Sequence, residues 1–267
     1  MGRWAEVGDG VLVRRYDELD LSLGLVVGER GCLVVDTGGD ETQGAEFAAA
    51  VREVTALPWT VVVTHAHFDH AFGTAAFGEC PVWGHPGCAE ELAGGGETQR
   101  AAMAEFYREG GRDEIARRVE TARIVPPGLL VPDEAEIDLG GRQVRLLHPG
   151  LAHTGHDLVV HVPDAGVVFA GDLVEQGAPP AFEDSFPLVW PSAVLRLMTL
   201  GASTVVPGHG EPVDVAFVAA QRADLLEVAT LCRAVAAGEM TAAEAKALSP
   251  YPEHFTAAAL ARAAAPA

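Results

Sequence analysis

The chain has 267 residues, 18 of them Lys or Arg and 38 Asp or Glu, for a formal charge of −20 with its ten histidines neutral. A surface this acidic excludes a nucleic-acid binder, which needs cations against phosphate. With 49% hydrophobic and 21% charged residues, the composition is that of a folded globular protein and not of a disordered chain.

Met1 to Arg15 is a short polar lead into a strand-like run and lacks the basic, then apolar, segments of a secretory signal. No apolar stretch long enough to span a membrane follows. Cys32, Cys80, Cys88 and Cys232 are too sparse for a disulfide framework and form no Cys-x-x-Cys pair, so a reduced, cytoplasmic protein is expected.

Val11–Tyr16, Leu21–Val27 and Cys32–Asp36 are Val- and Leu-rich runs divided by glycine-containing segments, and they predict three consecutive antiparallel strands. Asp40 offers an N-cap with Gln43 three residues on, and Phe47, Val51 and Val54 keep helical spacing up to Pro58. Thr60–Val63 predicts a buried strand that delivers the chain into His65-Ala-His67-Phe-Asp69-His70. A strand near Pro81–Gly84 precedes helices over Pro86–Leu92 and Glu97–Ala122, the second broken at Gly110-Gly111 and serving either as a lid or as a cover for the sheet.

Val144–Leu147, Leu158–Val162 and Val167–Ala170 return to strand character, with Pro163-Asp164-Ala165-Gly166 as a hairpin turn. After Asp172 an irregular stretch to Pro191 carries Phe182, Phe186 and Trp190, which either wall an apolar pocket or pack the loop on the sheet edge. A helix near Ser192–Leu200 and a strand, Thr204–Val206, lead into Pro207-Gly208-His209-Gly210. The remainder reads as helical: Val218, Leu225, Val228, Cys232 and Val235 share a face that ends at Gly238, and Thr241-x-x-Glu244 is a capping box.

The histidines carry the chemistry. A His-x-His at a strand end projects both rings to one side, and Asp69-His70 in the following turn can serve a neighbouring position. Imidazole and carboxylate are ligands for zinc, iron or manganese. One such histidine alone is as often structural as functional, but here four ligand-type residues fall within six positions. His153, Asp172 and His209 stand at the ends of three further predicted strands.

In this order and on strand ends, His-x-His-x-Asp-His, His153-Thr154, Gly171-Asp172 and Gly208-His209 resemble the motifs of the metallo-β-lactamase superfamily of metal hydrolases. Val35-Asp36-Thr37-Gly38 is similar to that family's strand-end Asp, which supports the ligand loop. The resemblance covers residues 7–212 and implies an α/β fold, the αββα four-layer sandwich of two mixed sheets with helices outside. Residues 1–212 would form that domain, and 213–267 a C-terminal helical extension packed on it.

The resemblance further implies that His65, His67 and His153 hold one divalent metal ion, that Asp69, His70 and His209 hold a second, and that Asp172 bridges the two. Zinc is the first expectation, with Fe or Mn open. It implies a hydrolase acting on a small ester, thioester or lactone through a metal-bridging hydroxide that Asp69, as catalytic residue, would orient. The expected partner is thus a small-molecule substrate and neither nucleic acid nor membrane.

Departures from the family pattern narrow the reading. Asp172 stands where antibiotic-hydrolysing members carry Cys or Ser, and Lys246 is the sole lysine, so only weak β-lactamase activity is expected. Glu175 stands where signalling-lactone hydrolases carry Tyr, and His67 where the flavin-dependent diiron branch carries an acid. A mononuclear, iron-dependent sulfur dioxygenase shares the His-x-His and His-Thr motifs and stays open as the alternative. His156 is expected to steady the loop after His153, and His85, His148, His161 and His254 carry no motif.

Overall fold

In a computed structural model that describes residues 2–265, the N-terminal lead is itself a strand, β1 (Arg3–Gly8). It is half-buried at a sheet edge and so lacks the continuous apolar run that marks an interior strand. It pairs with β2 (Val11–Arg15), which continues as an antiparallel meander into β3 (Ser22–Val27) and β4 (Cys32–Val35). The Asp40 carboxylate caps α1 (Glu41–Val54) by accepting the Thr42 and Gln43 amides. This helix crosses to β5 (Trp59–Val62), parallel to β4.

A single helical turn, α2 (Phe68–Ala71), follows, and then β6 (Val82–Gly84) joins parallel to β5. Helices α3 (Pro86–Gly94), α4 (Gly96–Glu109) and α5 (Asp113–Thr121) precede β7 (Leu129–Leu130), which completes a seven-stranded sheet. The predicted break between α4 and α5 occurs at Gly110-Gly111, where Gly111 takes φ +70°.

The second half repeats the plan. β8 (Glu134–Asp138), β9 (Gln143–Leu147), β10 (Val159–Val162) and β11 (Val167–Glu175) form an antiparallel meander. Then α6 (Trp190–Met198) crosses to β12 (Thr204–His209), parallel to β11, and β13 (Val213–Asp214) closes a six-stranded sheet. β8 was not legible as a strand, because its acidic residues face solvent and only Ile137 is buried.

Interior strands are apolar at successive positions because both faces are covered. Val26, Leu33, Val35 and Val62 pack between the sheets against Val160, Val167, Phe169 and Val206. Their neighbours Leu25, Val34 and Val61 face α1, where Phe47 and Val51 meet them. On the far side Val159, Val168 and Ala170 face α6 and α7 (Val215–Ala236). The layers are therefore helix, sheet, sheet, helix, the αββα sandwich that the motifs imply.

Beyond α7 come α8 (Ala242–Leu248), started by the Thr241/Glu244 capping box, and α9 (Glu253–Ala264), whose Ala259 joins the same apolar cluster as α6 and the second sheet. Among the described residues no helix is long and apolar enough to cross a membrane.

Candidate metal centre

The chemistry-bearing residues gather where strands of both sheets end. β5 runs into His65 and His67, β9 into the loop that carries His153, and β12 ends at His209. Asp172 lies inside β11 at an irregularity in its pairing with β12, beside Gly171 at φ +53°. Such a break in register re-aims a side chain.

The seven predicted residues form two sets, His65, His67, His153 and Asp172 in one and Asp69, His70 and His209 in the other; within each set the ligand atoms lie within 4.8 Å of one another. Asp172 faces both: its Oδ2 is 3.6 Å from His65 Nε2 and from His153 Nε2, and 3.4 Å from His209 Nε2. Its Oδ1 is 3.2 Å from His70 Nε2 without forming a hydrogen bond. A Cβ at position 208 would overlap Asp172 Oδ1, so only glycine fits beside that carboxylate.

Partners outside the cluster orient four of the five rings. His70 Nδ1 donates to Asp36 Oδ2 at 2.8 Å, and His209 Nδ1 donates to the Leu19 carbonyl at 2.7 Å. His65 Nδ1 bonds Thr64 Oγ1 at 3.0 Å, and that hydroxyl donates to Asp36 at 2.8 Å. His67 is turned the other way round: its Nε2 donates to Asp184 Oδ2 at 2.9 Å while Nδ1 faces His153 Nε2 at 3.0 Å. Each bond fixes a tautomer and leaves the opposite nitrogen's lone pair pointing into the cluster.

Converging lone pairs and two carboxylates repel one another unless cations lie among them. In the metal-free protein protons take that role. Burial disfavours the charge, yet Asp172 and Asp69 hold the His70 and His209 rings well above the usual imidazole range. Asp184 overcomes the same burial at His67 and raises it to about 9. His153, without such a partner, is pushed down to about 4 by burial. The buried His65 Nε2 has no hydrogen-bond partner among the described residues. A donor set of bare imidazole nitrogens and carboxylates, with orphaned buried atoms inside it, fits divalent transition-metal ions.

The supporting backbone is strained where it must be. Among the described residues the non-glycine positions with positive φ are Leu19, Asp20 and Asp36, and all three lie here. His156 keeps out of the cluster: its Nε2 accepts the Ala66 amide at 3.1 Å, steadying the segment between His65 and His67. Asp157 does the same for the next loop, accepting the Thr154 amide and hydroxyl at 2.8 Å each. Phe182 and Trp190 are fully buried against each other, so ordinary packing and not a pocket wall accounts for them.

Three hollows open onto the cluster. One, of about 340 Å³, lies against α4 and α5 and is bordered by Tyr107, Arg112 and Arg118. A second, of about 370 Å³, lies between Leu19 and Glu175–Ala178, and a third, of about 380 Å³, is lined by Phe68, Gln99, Met103 and Asp184. Both the helical segment after residue 97 and the loop after β11 thus contribute walls, and Asp69 borders all three hollows. Burial, followed by the Asp172 charge, pushes the Glu175 carboxyl up to about 8. Asp184 is the site residue least visible in sequence. Asp184 sits in a loop with no motif and is brought to His67 only by the fold.

A family model described as the metallo-β-lactamase superfamily matches residues 20–209. The chain is 24% identical to a linear primary-alkylsulfatase of Pseudomonas sp. over 71% of its own length, and it spans 41% of the length of that protein. It is 24% identical to a metallo-β-lactamase type 2 of Bacillus sp., covering 72% of this chain and 68% of the relative. In fold it is similar to a metallo-β-lactamase from Pontibacter korlensis, with a TM-score of 0.65, 21% identity, and 85% of this chain and 99% of that one covered.

Proposed function

The chain belongs to the metallo-β-lactamase superfamily, and on that ground we propose that it is a dinuclear metal-dependent hydrolase of a small ester, thioester or lactone. One observation carries the reading: seven side chains present their ligand atoms as two sets, with Asp172 facing both. His65, His67 and His153 would hold one ion, Asp69, His70 and His209 the other, and Asp172 both. Zinc is the first candidate, since imidazole and carboxylate are ligands it takes readily.

Two divalent ions held there would supply Lewis acidity to a carbonyl oxygen and a water acidic enough to be a nucleophile near neutral pH. The protein's own contribution begins with Asp69, whose Oδ2 lies 3.3 Å from His209 Nε2 and which borders the three hollows at the cluster. The charges of His70 and His209 hold its carboxyl well below the usual range, so it stays ionised and can orient an attacking water by accepting its proton in a hydrogen bond. Hollows of about 340–380 Å³ suit a small substrate divided between acyl and leaving groups. A cytoplasmic setting belongs to the same proposal and is supported by four free cysteines.

The test is metal analysis of the purified protein followed by a panel of p-nitrophenyl esters, thioesters, lactones, a cephalosporin and a phosphodiester. About two transition-metal ions per chain with turnover in the ester, thioester or lactone arms is the expected result. A single Fe(II) with oxygen consumption would overturn it in favour of the thiol-oxidising alternative.

A further inference from the structure

We propose that Arg262, on the last helix of the chain, is a positioning residue for the candidate metal centre: it grips the backbone at Asp184 and Ser185, and so holds the Asp184 carboxylate on the His67 ring. This rests on reading His67 as a metal ligand.

Asp184 sits midway along the irregular connection between β11 and α6, where no strand ladder or helix holds the backbone. Buried Phe182 and the Phe186 amide, which donates to the Ala152 carbonyl at 2.7 Å, anchor the segment on either side, and the Asp184 backbone between them depends on what satisfies its carbonyls. Arg262 Nε donates to the Ser185 carbonyl at 3.0 Å, and Nη2 donates to the Asp184 carbonyl at 3.2 Å. The guanidinium stands over the Phe186 ring, 5.7 Å from its centroid. A planar fork of donors can take two consecutive carbonyls at once, which the point charge of a lysine ammonium cannot match.

Further along, Arg233 Nη2 donates to the Leu188 carbonyl at 2.8 Å, and Arg222 Nε to the Pro191 carbonyl at 2.9 Å. The helices after β13 thus fasten the loop at three carbonyls and the first turn of α6 at a fourth. These helices lie beyond residue 209, where the match to the family model ends.

The consequence reaches the centre through one bond, His67 Nε2 to Asp184 Oδ2 at 2.9 Å. His70 is locked by Asp36 on a strand end inside the core, but the His67 side chain is 24% exposed and its outer partner is on a loop. Loosening that loop frees the ring to rotate and to exchange tautomers, which moves the lone pair at Nδ1 off the cluster. Removing the outer partner of a metal-bound histidine weakens metal binding about 10–100-fold.

The experiment measures Zn(II) affinity by chelator competition, and the visible absorption of the Co(II)-loaded protein, for the full-length wild type, Arg262→Ala, Arg262→Lys, Asp184→Asn and the Arg262→Ala/Asp184→Asn double variant. The two single losses are each expected to weaken retention by about tenfold and to shift the Co(II) bands alike. The double variant is expected to be no weaker than Asp184→Asn, and Arg262→Lys to fall between wild type and Arg262→Ala. Unchanged affinity and spectrum in Arg262→Ala would overturn the proposal, and so would losses that multiply in the double variant. A wild type that binds no metal overturns the metal centre and this inference with it; bound metal with an indifferent Arg262→Ala overturns this inference alone. Should Arg262→Ala fail to fold, Arg262→Lys compared with Arg262→Lys/Asp184→Asn makes the same comparison.

Discussion

Asp36 accepts a hydrogen bond from His70 Nδ1 at 2.8 Å while its own backbone is held at φ +61°. The same buried carboxylate takes the Thr64 amide at 2.7 Å and the Thr64 hydroxyl at 2.8 Å. Replacing Asp36 by Ala leaves three buried donors without an acceptor, at about 1–3 kcal/mol for each that finds no water. Asp36→Ala is therefore expected to lower the stability of the metal-free protein by about 3 kcal/mol or more, read from the urea midpoint. It should also weaken Zn(II) retention by about tenfold or more. A variant as stable as the wild type would mean that water satisfies all three donors in place of the carboxylate.

Replacing His67 by Ala separates folding from function. The ring is partly exposed and lies at the end of the cluster, so its loss leaves no sealed cavity in the core. Unchanged circular dichroism, loss of bound metal and abolished turnover on the substrate panel are the expected outcome. Full turnover would show that the candidate centre is assigned to the wrong residues.

Gly208 is required for steric and not conformational reasons. It is absent from the positive-φ glycines, yet a Cβ there would overlap Asp172 Oδ1, a carboxylate buried among histidines with no room to swing aside. Gly208→Ala is expected to cost about 1–3 kcal/mol and to lower the metal content measured after dialysis. Gly210 differs, since it has φ +98° and its Cβ would meet the Gln176 backbone. Gly210→Ala should therefore unfold at lower temperature chiefly through its backbone. Unaltered metal content in Gly208→Ala would place Asp172 outside the binding set.

What the sequence made legible follows from how local each signal is. The interior strands β2 to β5 and β9 to β12 are apolar runs because both sheet faces are covered, and their positions were readable to within a few residues. The edge strands β1, β7, β8 and β13 escape because a strand that is half-exposed or only two residues long has no such run. At the site, the spacing of His65, His67, Asp69 and His70 points to a metal site, and the resemblance to the family's motifs joins His153, Asp172 and His209, each at a predicted strand end, to it. Asp184, the Leu19 carbonyl and Arg262 act through tertiary contacts at sequence separations of 117, 190 and 78 residues, and no local pattern encodes those.

Removing the metal should make stability fall with rising pH. In the metal-free protein the carboxylates Asp172 and Asp69 hold His70 and His209 well above the usual imidazole range against the penalty of burial, and Asp184 holds His67 at about 9. A histidine raised in the folded state contributes stability that is fully present below its unfolded value, about 6.5. That contribution is lost as pH rises through the folded value. Chelator-treated protein should therefore lose thermal stability as pH rises from about 6.5 to about 9. Metal binding requires neutral imidazoles, so at pH 7 uptake releases protons and affinity rises with pH. The metal-loaded protein should vary little over the same interval, because above about 6.5 the histidines are neutral both in the metal-bound and in the unfolded chain. Melting temperatures against pH with and without chelator read the two slopes, and Zn(II) titration calorimetry in buffers of different ionisation enthalpy counts the protons. Parallel slopes with no proton release would show that these histidines are not the groups the metal displaces protons from.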